Sequence, residues 1–229
     1  MPNTNSPTRK TINRLIMYPA LITLGITLLR LFGELLHGPV VLFSRAEGGG
    51  AAIIGISWLP VIFGPYFAVK LYDRNLRPSS FGKAILFALA GFVVLVCGAI
   101  VAFSPVVHFT GRIAVGLLIM VGAAALQYLP WRELAQTLIA YAYLARVPVV
   151  IVMFFAMLGH WGTHYDTVPP PFDQLPFWTK YLYLAVAPQL IMWVVYTMTL
   201  GALIGGIYVA VFRRKKSAAA PAGQQVAGA

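Results

Sequence analysis

Charged side chains are scarce in this sequence: they make up 10% of its 229 residues, and only six of them are acidic. A soluble globular domain carries about 25% charged residues, because its surface must be hydrated. A chain this poor in charge cannot cover a globule of its size with hydrated groups, which excludes an ordinary water-soluble domain. The 59% of hydrophobic residues instead indicate that most of the chain lies in lipid.

Cysteine is also scarce, and several motifs of known chemistry are missing. The single cysteine, Cys97, lies inside an apolar run, which excludes a disulfide framework and a cysteine-based metal site. The sequence has no glycine-rich phosphate loop, no His-Glu-x-x-His pair and no Gly-x-Ser-x-Gly elbow. It therefore assigns no cofactor, and an enzyme is the less favoured class. The glycine run 48–50 is interpreted as a flexible external loop.

Basic residues outnumber acidic ones by 17 to 6, which gives a net charge of +11. Such a balance favours nucleic-acid binding only when the basic residues cluster on a soluble face. Here they stand at the ends of apolar runs, which is typical of residues that orient a chain in a membrane. We therefore expect a lipid bilayer as the partner, and no nucleic acid.

Six apolar runs are separated by short polar or proline-containing segments. A helix needs about 20 mostly apolar residues to cross about 30 Å of hydrocarbon. We therefore predict an all-α, polytopic integral membrane bundle of about six transmembrane helices that form a single domain. The predicted spans are 15–37, 51–72, 81–103, 112–129, 134–159 and 179–212. The remaining segments are a cytoplasmic lead (1–14), an external loop (160–178) and a basic, disordered cytoplasmic tail (213–229).

The distribution of lysine and arginine predicts the orientation of this bundle. With the N-terminus in the cytoplasm, 12 basic residues fall on the cytoplasmic side and only three on the other. The cytoplasmic set is Arg9, Lys10, Arg14, Lys70, Arg74, Arg77, Lys83, Arg132, Arg213, Arg214, Lys215 and Lys216, and the external set is Arg45, Arg112 and Lys180. Because cytoplasmic loops carry the basic excess, both termini are predicted to be cytoplasmic.

Two features of the last apolar run predict how it packs. The run is longer than one span needs, so we expect a tilt or a kink, and Pro188 is the expected place. Gly201 and Gly205 have the small-xxx-small spacing that lets two helices approach closely. We interpret these glycines as helix-packing residues.

Arg146 is the first candidate site residue, because it lies 14 residues from both Arg132 and His160. At a rise of 1.5 Å per residue, it lies about 21 Å from either marker, near the bilayer midplane. An arginine there costs at least about 2.5 kcal/mol and needs a partner. Two interpretations remain open: a contact for an anionic group, such as a carboxylate or a lipid phosphate, or a structural strut paired with Glu34.

Arg30 and Glu34 are the second candidates, spaced four residues apart on one face of the first helix. One alternative is an intrahelical salt bridge that neutralises both charges. In the other, Glu34 turns to Arg146, and the resulting excess of positive charge favours an anionic ligand. Glu34 is the only acidic residue predicted within a span, so it is also the obvious proton carrier.

The external loop supplies a third candidate, a metal site made by His160, His164 and Asp166. Imidazole and carboxylate groups suit zinc or iron. Against this, Gly162 disfavours a continuous helix, which the two histidines would need to share one face. An interfacial loop of histidine and aromatic residues is the competing interpretation.

Three functional classes remain open. The first is a transporter or ligand-binding protein in which Arg146, Glu34 and Arg30 form a polar centre for an anionic small molecule or lipid. The second is an accessory or assembly subunit of a larger membrane complex, or a homo-oligomer, whose long last helix offers an apolar face to other subunits. The third is a membrane enzyme that uses the external His/Asp site. A bacterial inner (plasma) membrane is the expected location.

Overall fold

Most of the described part of the chain is helical, and irregular segments connect the helices. The structure, a computed structural model, describes residues 7–213, so the start of the predicted lead and the tail beyond Arg213 lie outside the described residues. Its helices are α1 (Pro7–Leu35), α2 (Leu59–Tyr72), α3 (Phe81–Phe103), α4 (Arg112–Leu126), α5 (Arg132–Gly159) and α6 (Phe177–Phe212). Single 3₁₀ turns lie at Glu47–Gly49 and Pro170–Phe172. No strand occurs within residues 7–213, which confirms the predicted all-α class.

Four of these helices are long and apolar enough to cross a membrane. The apolar part of each of these helices is 23 to 36 residues long, and the four are α1 (over Lys10–Leu35), α3, α5 and α6. At 1.5 Å per residue, even the shortest is about 34 Å long and exceeds the roughly 30 Å of hydrocarbon. The helices α2 and α4 have 14 and 15 residues, about 21 and 22 Å, and do not reach across the hydrocarbon by themselves.

Helix α1 begins at Pro7 rather than at the predicted residue 15. Proline suits the first helical position, because its missing N–H would have no partner there in any case. Ile12 is buried against the core, which holds the additional turns in place.

Helix α2 begins at Leu59 rather than at the predicted residue 51. Pro60 lies in its first turn, and the glycines of the run 48–50 all have positive φ angles, which an α-helix excludes. The amides of Ile53 and Ile54 donate instead to the carbonyls of Val41 and Leu42, at 3.0 and 3.3 Å. Residues 36–58, the α1–α2 segment, therefore fold back on themselves outside the helices.

Helix α6 is interrupted by π-helical backbone on both sides of Pro188. The two stretches are Leu182–Val186 and Pro188–Met192. Pro188 has no N–H to donate, and the amides of Ala187 and Trp193 reach carbonyls five residues back instead of four. The irregularity thus occurs at the proline that the sequence indicates, and such π-bulges are frequent at functional sites.

Helices α2 and α6 approach closely at three glycines. A Cβ atom on Gly64 would overlap the backbone of Gly201, and one on Gly205 would lie 2.7 Å from the Gly64 carbonyl oxygen. Close backbone approach between small residues replaces the hydrophobic effect as the source of helix association in lipid. The predicted packing role of Gly201 and Gly205 is confirmed, and Gly64 is their partner.

The glycine contact predicts a position-dependent effect of one methyl group. Gly64→Ala should lower the free energy of unfolding by about 1–3 kcal/mol, because the new methyl group has no space against α6. Gly122→Ala is the matched control, since Gly122 lies in α4 and the methyl group of an alanine there would have no neighbouring atom within 4 Å. It should be neutral or slightly stabilising. SDS-induced unfolding of the purified protein in detergent measures both; equal stability of the two variants would contradict the close approach.

Candidate functional site

Glu34, in the last turn of α1, is a buried carboxylate with three donors. It is 1% exposed, and it accepts hydrogen bonds from Arg30 Nε at 2.8 Å and from the backbone N–H of His164 at 2.9 Å. The third contact joins Glu34 Oε1 to His164 Nδ1 at 2.5 Å. Of the two alternatives for Glu34, the structure has the intrahelical pair with Arg30. The other partner is His164 rather than Arg146.

Arg30 also holds the α1–α2 segment against α1. Its Nη2 donates to the carbonyls of Ser44 and Gly49, at 3.1 and 2.7 Å. Gly49 has a φ of +83°, and a Cβ there would lie 2.7 Å from the same Nη2 atom. The glycine run thus closes over the guanidinium, whereas its sequence suggested only a flexible loop. Glu34 fixes the guanidinium, and the guanidinium fixes the loop.

His164 belongs to the α5–α6 loop (residues 160–176) and attaches that loop to α1. Burial lowers the pKa of its imidazole below the ordinary value. The hydrogen bond to Glu34 acts in the opposite direction and raises this pKa, whereas the nearby charge of Arg30 lowers it further. The neutral imidazole donates from Nδ1, because the carboxylate can only accept. The phenol of the next residue, Tyr165, donates to the Thr27 carbonyl at 3.4 Å, and burial raises the pKa of that phenol.

The three residues of the predicted metal site have separate surroundings. The Asp166 carboxylate accepts from the amides of Gly162 and Thr163, at 2.9 and 2.7 Å, and from the Thr163 hydroxyl. His160 is exposed and ends α5 with a left-handed backbone, while His164 is bound to Glu34. Within residues 7–213, no three His, Cys, Asp or Glu side chains are grouped to hold a metal ion. The metal hypothesis stays a prediction without support from this geometry.

Arg146 is a buried cation with few partners. The residue is 4% exposed, Nη1 donates to Gln189 Oε1 at 3.2 Å, and the guanidinium lies 4.7 Å from the centre of the Trp193 ring. Its Nε has no hydrogen-bond partner and is the only such buried side-chain atom in the described chain. Among the described residues, no carboxylate lies within 4.0 Å of it. The strut with Glu34 is therefore not the arrangement found.

Arg146 and Arg30 line one cavity of about 320 Å³. Its walls come from α1, the α1–α2 segment, α5, the α5–α6 loop and the π-helical part of α6. Glu34, which is paired with Arg30, does not line the cavity. The one carboxylate in the lining, that of Glu47, is on an exposed residue, where water screens its charge. The buried end of the cavity is therefore positive.

Sequence reasoning placed Arg146, Arg30 and Glu34 in one polar centre, and the structure separates them into a buried pair and an isolated cation. It missed the role of His164 as the partner of Glu34. Sequence reasoning also did not identify Trp193 as the aromatic ring that the Arg146 guanidinium contacts. Gln189 and Trp193 are four residues apart, the spacing of one helix face, and that was the signal available in the sequence.

Comparisons of the chain with protein-family models, with curated proteins and with solved structures found no match.

The buried imidazole predicts a pH-dependent stability. Because the pKa of His164 is lowered by folding, the unfolded chain binds a proton first as the pH falls below about 6.5. Stability should be fully present above that pH and decrease below it, by up to about 1.4 kcal/mol per pH unit. His164→Asn, whose amide can still donate to Glu34, should flatten this dependence.

Thermal unfolding in detergent between about pH 7.5 and pH 5.5 measures the effect. His160→Asn is the control, since it changes an exposed histidine in the same loop and should keep the wild-type slope. Identical slopes for wild type and His164→Asn would show that His164 does not couple protonation to folding.

Proposed function

We propose that this chain is a six-span integral membrane protein that binds an anionic ligand in the cavity beside Arg146. The observation that carries the proposal is the unpaired Nε of an arginine that is only 4% exposed. An uncompensated buried charge is strongly destabilising, whereas a paired one is not. A ligand carboxylate or phosphate would supply the missing acceptor, and guanidinium groups bind both in a two-pronged geometry.

The interruptions of two helices support a binding role. The irregular residues before α2 and the π-helical stretch around Pro188 both line the cavity. In membrane transporters, discontinuous helices near the midplane form the substrate site, and their positive N-terminal ends face anionic groups. Helix α2 begins next to the cavity-lining Ser57, so its positive end adds to the field of Arg146. A transporter or a ligand-binding protein fits this arrangement.

Six crossings with cytoplasmic termini are the topology that fits this site. Non-helical backbone is tolerated at membrane depth only where it is buried or lines a cavity. Gly55, Ile56 and Ser57 line the cavity just before α2, so that α2 and its irregular approach together can make one crossing. The charge bias supports the same orientation. A bacterial inner membrane stays the expected location.

The other two functional classes stay predictions. The enzyme hypothesis required His160, His164 and Asp166 to act together, and their separate partners give it no support. The subunit hypothesis requires a partner chain, which would co-purify with the protein from gently solubilised membranes.

The topology predicts which side of the membrane can be labelled. In a Cys97→Ser background, Asp173→Cys and His108→Cys should react with a membrane-impermeant maleimide added outside, because both residues are exposed in predicted external loops. Asn75→Cys, in the predicted cytoplasmic turn after α2, should react only after the membrane is opened. External labelling of Asn75→Cys would contradict the six-span topology. Protection of all three positions would also contradict it, because the loops that contain positions 108 and 173 would then not be external.

The ligand role of Arg146 predicts a bound mass that depends on this side chain. Native mass spectrometry of the gently solubilised wild type should show a bound adduct. The Arg146→Gln variant should lack this adduct and should still unfold cooperatively, which shows that it is folded. Arg112→Gln is the matched control, since it removes a cation whose hydrogen bonds, within residues 7–213, go to the Ser104 and Val107 carbonyls of the α3–α4 connection. The control should keep the adduct.

An equal adduct on Arg146→Gln would overturn the proposed site. A bare wild type together with an unfolded Arg146→Gln would make Arg146 a structural residue, and Arg146→Lys, which keeps the charge, should then restore stability. A second protein in the wild-type spectrum would favour the subunit hypothesis.

A further inference from the structure

A second, larger cavity adjoins the one that holds Arg146. It has a volume of about 650 Å³ and forms a groove along α3 and α6. Its lining is almost entirely apolar, with Phe92, Leu95, Val96, Ala99, Ile100 and Phe103 all contributed by α3. Because Val96 and Ile100 are 42% and 50% exposed, the groove is open along the outer face of α3. An apolar chain lying in the bilayer can therefore enter it from the side.

The polar cavity and the apolar groove meet at three shared residues. Ser57, Met192 and Trp193 line both. The Trp193 indole separates the two environments, since the Arg146 guanidinium lies 4.7 Å from its ring centre and the apolar groove begins at the same side chain. A single molecule can thus touch the buried cation with one end and the groove with the other.

We propose that the ligand of this site is an anionic lipid, whose phosphate head binds Arg146 and whose acyl chain lies in the groove between α3 and α6. This inference rests on the proposed function and adds the chemical class of the ligand. The buried positive charge requires an anion, and the adjoining groove offers an almost entirely apolar surface to the rest of the same molecule.

The size and lining of the polar cavity favour a phosphate head. Both cavities fall within the range of about 300–1,000 Å³ that is usual for small-molecule sites. The lining of the polar cavity also includes the Gln189 amide and the Ser57 hydroxyl, each of which can donate a hydrogen bond to a phosphate oxygen. Free phosphate would use this cavity alone, whereas a lipid phosphate would also fill the groove.

Three probes separate the head from the chain: 1-palmitoyl lysophosphatidic acid, glycerol 3-phosphate with the same head and no chain, and 1-monopalmitoylglycerol with the same chain and no charge. Each is titrated against the full chain in a neutral detergent, and bound ligand is counted by native mass spectrometry. Wild type should bind the lysophosphatidic acid at least about tenfold more tightly than either fragment, since about two buried methylene groups suffice for that ratio.

Two matched variants test the groove. Val96→Trp fills it and should weaken lysophosphatidic acid binding about tenfold, to the level of glycerol 3-phosphate. Val93→Trp adds the same side chain to α3 at a residue that is 54% exposed and does not line the groove, and it should bind like wild type. If Val96→Trp does not fold, Ile100→Trp fills the same groove from an exposed position.

The outcomes distinguish the lipid inference from the proposed function. If glycerol 3-phosphate binds as tightly as the lysophosphatidic acid, or Val96→Trp binds like wild type, the ligand is a free anion; the lipid inference fails and the anion site stands. If Arg146→Gln binds the lysophosphatidic acid like wild type, the anion site itself fails. If 1-monopalmitoylglycerol binds as tightly as the lysophosphatidic acid, the inference that the ligand carries a phosphate fails. It fails as well if the wild type binds none of the three probes.

Discussion

The carboxylate of Glu34 holds the outer end of this molecule together. It lies in the last turn of α1 and meets Arg30 on one side and His164 on the other. Arg30 in turn binds carbonyls of the α1–α2 segment, and His164 belongs to the α5–α6 loop. Glu34 therefore connects two long irregular segments to one helix, and the Tyr165–Thr27 hydrogen bond adds a second contact for the α5–α6 loop. Without it, Arg30 would be an uncompensated buried cation, and His164 would lose its hydrogen-bond acceptor on α1.

Those two segments also form walls of the cavity, and of the ion pair only Arg30 lines it. The charge of Arg30 is balanced by Glu34, whereas the charge of Arg146, deeper in the bundle, is balanced by nothing in the described chain. The Trp193 ring and the Gln189 amide solvate the guanidinium only partly. The contrast between a balanced and an unbalanced arginine in one cavity is what favours an anionic ligand over a purely structural role.

Helix irregularities create the space for this site. Helix α2 stops short of a full crossing, and π-helical backbone around Pro188 turns Gln189 and Trp193 toward Arg146. Deeper in the bundle, contacts such as that of Gly64 with Gly201 and Gly205 bring α2 and α6 too close for any cavity. Tight packing at one end and interrupted helices at the other are consistent with a rigid scaffold that carries an open site.

Local sequence patterns predicted the all-α class and the irregularity at Pro188, and four of the six predicted spans are long apolar helices. They also offered the Arg30–Glu34 pair as one of two alternatives. These depend on composition, on run length or on residues four apart, and such local features are readable along the chain. The folded chain was needed to show that His164, 130 residues away, completes the Glu34 site, and that Arg146 faces Trp193 rather than Glu34. Contacts of that kind depend on how helices rotate and which loops fold inward, and no local spacing encodes either.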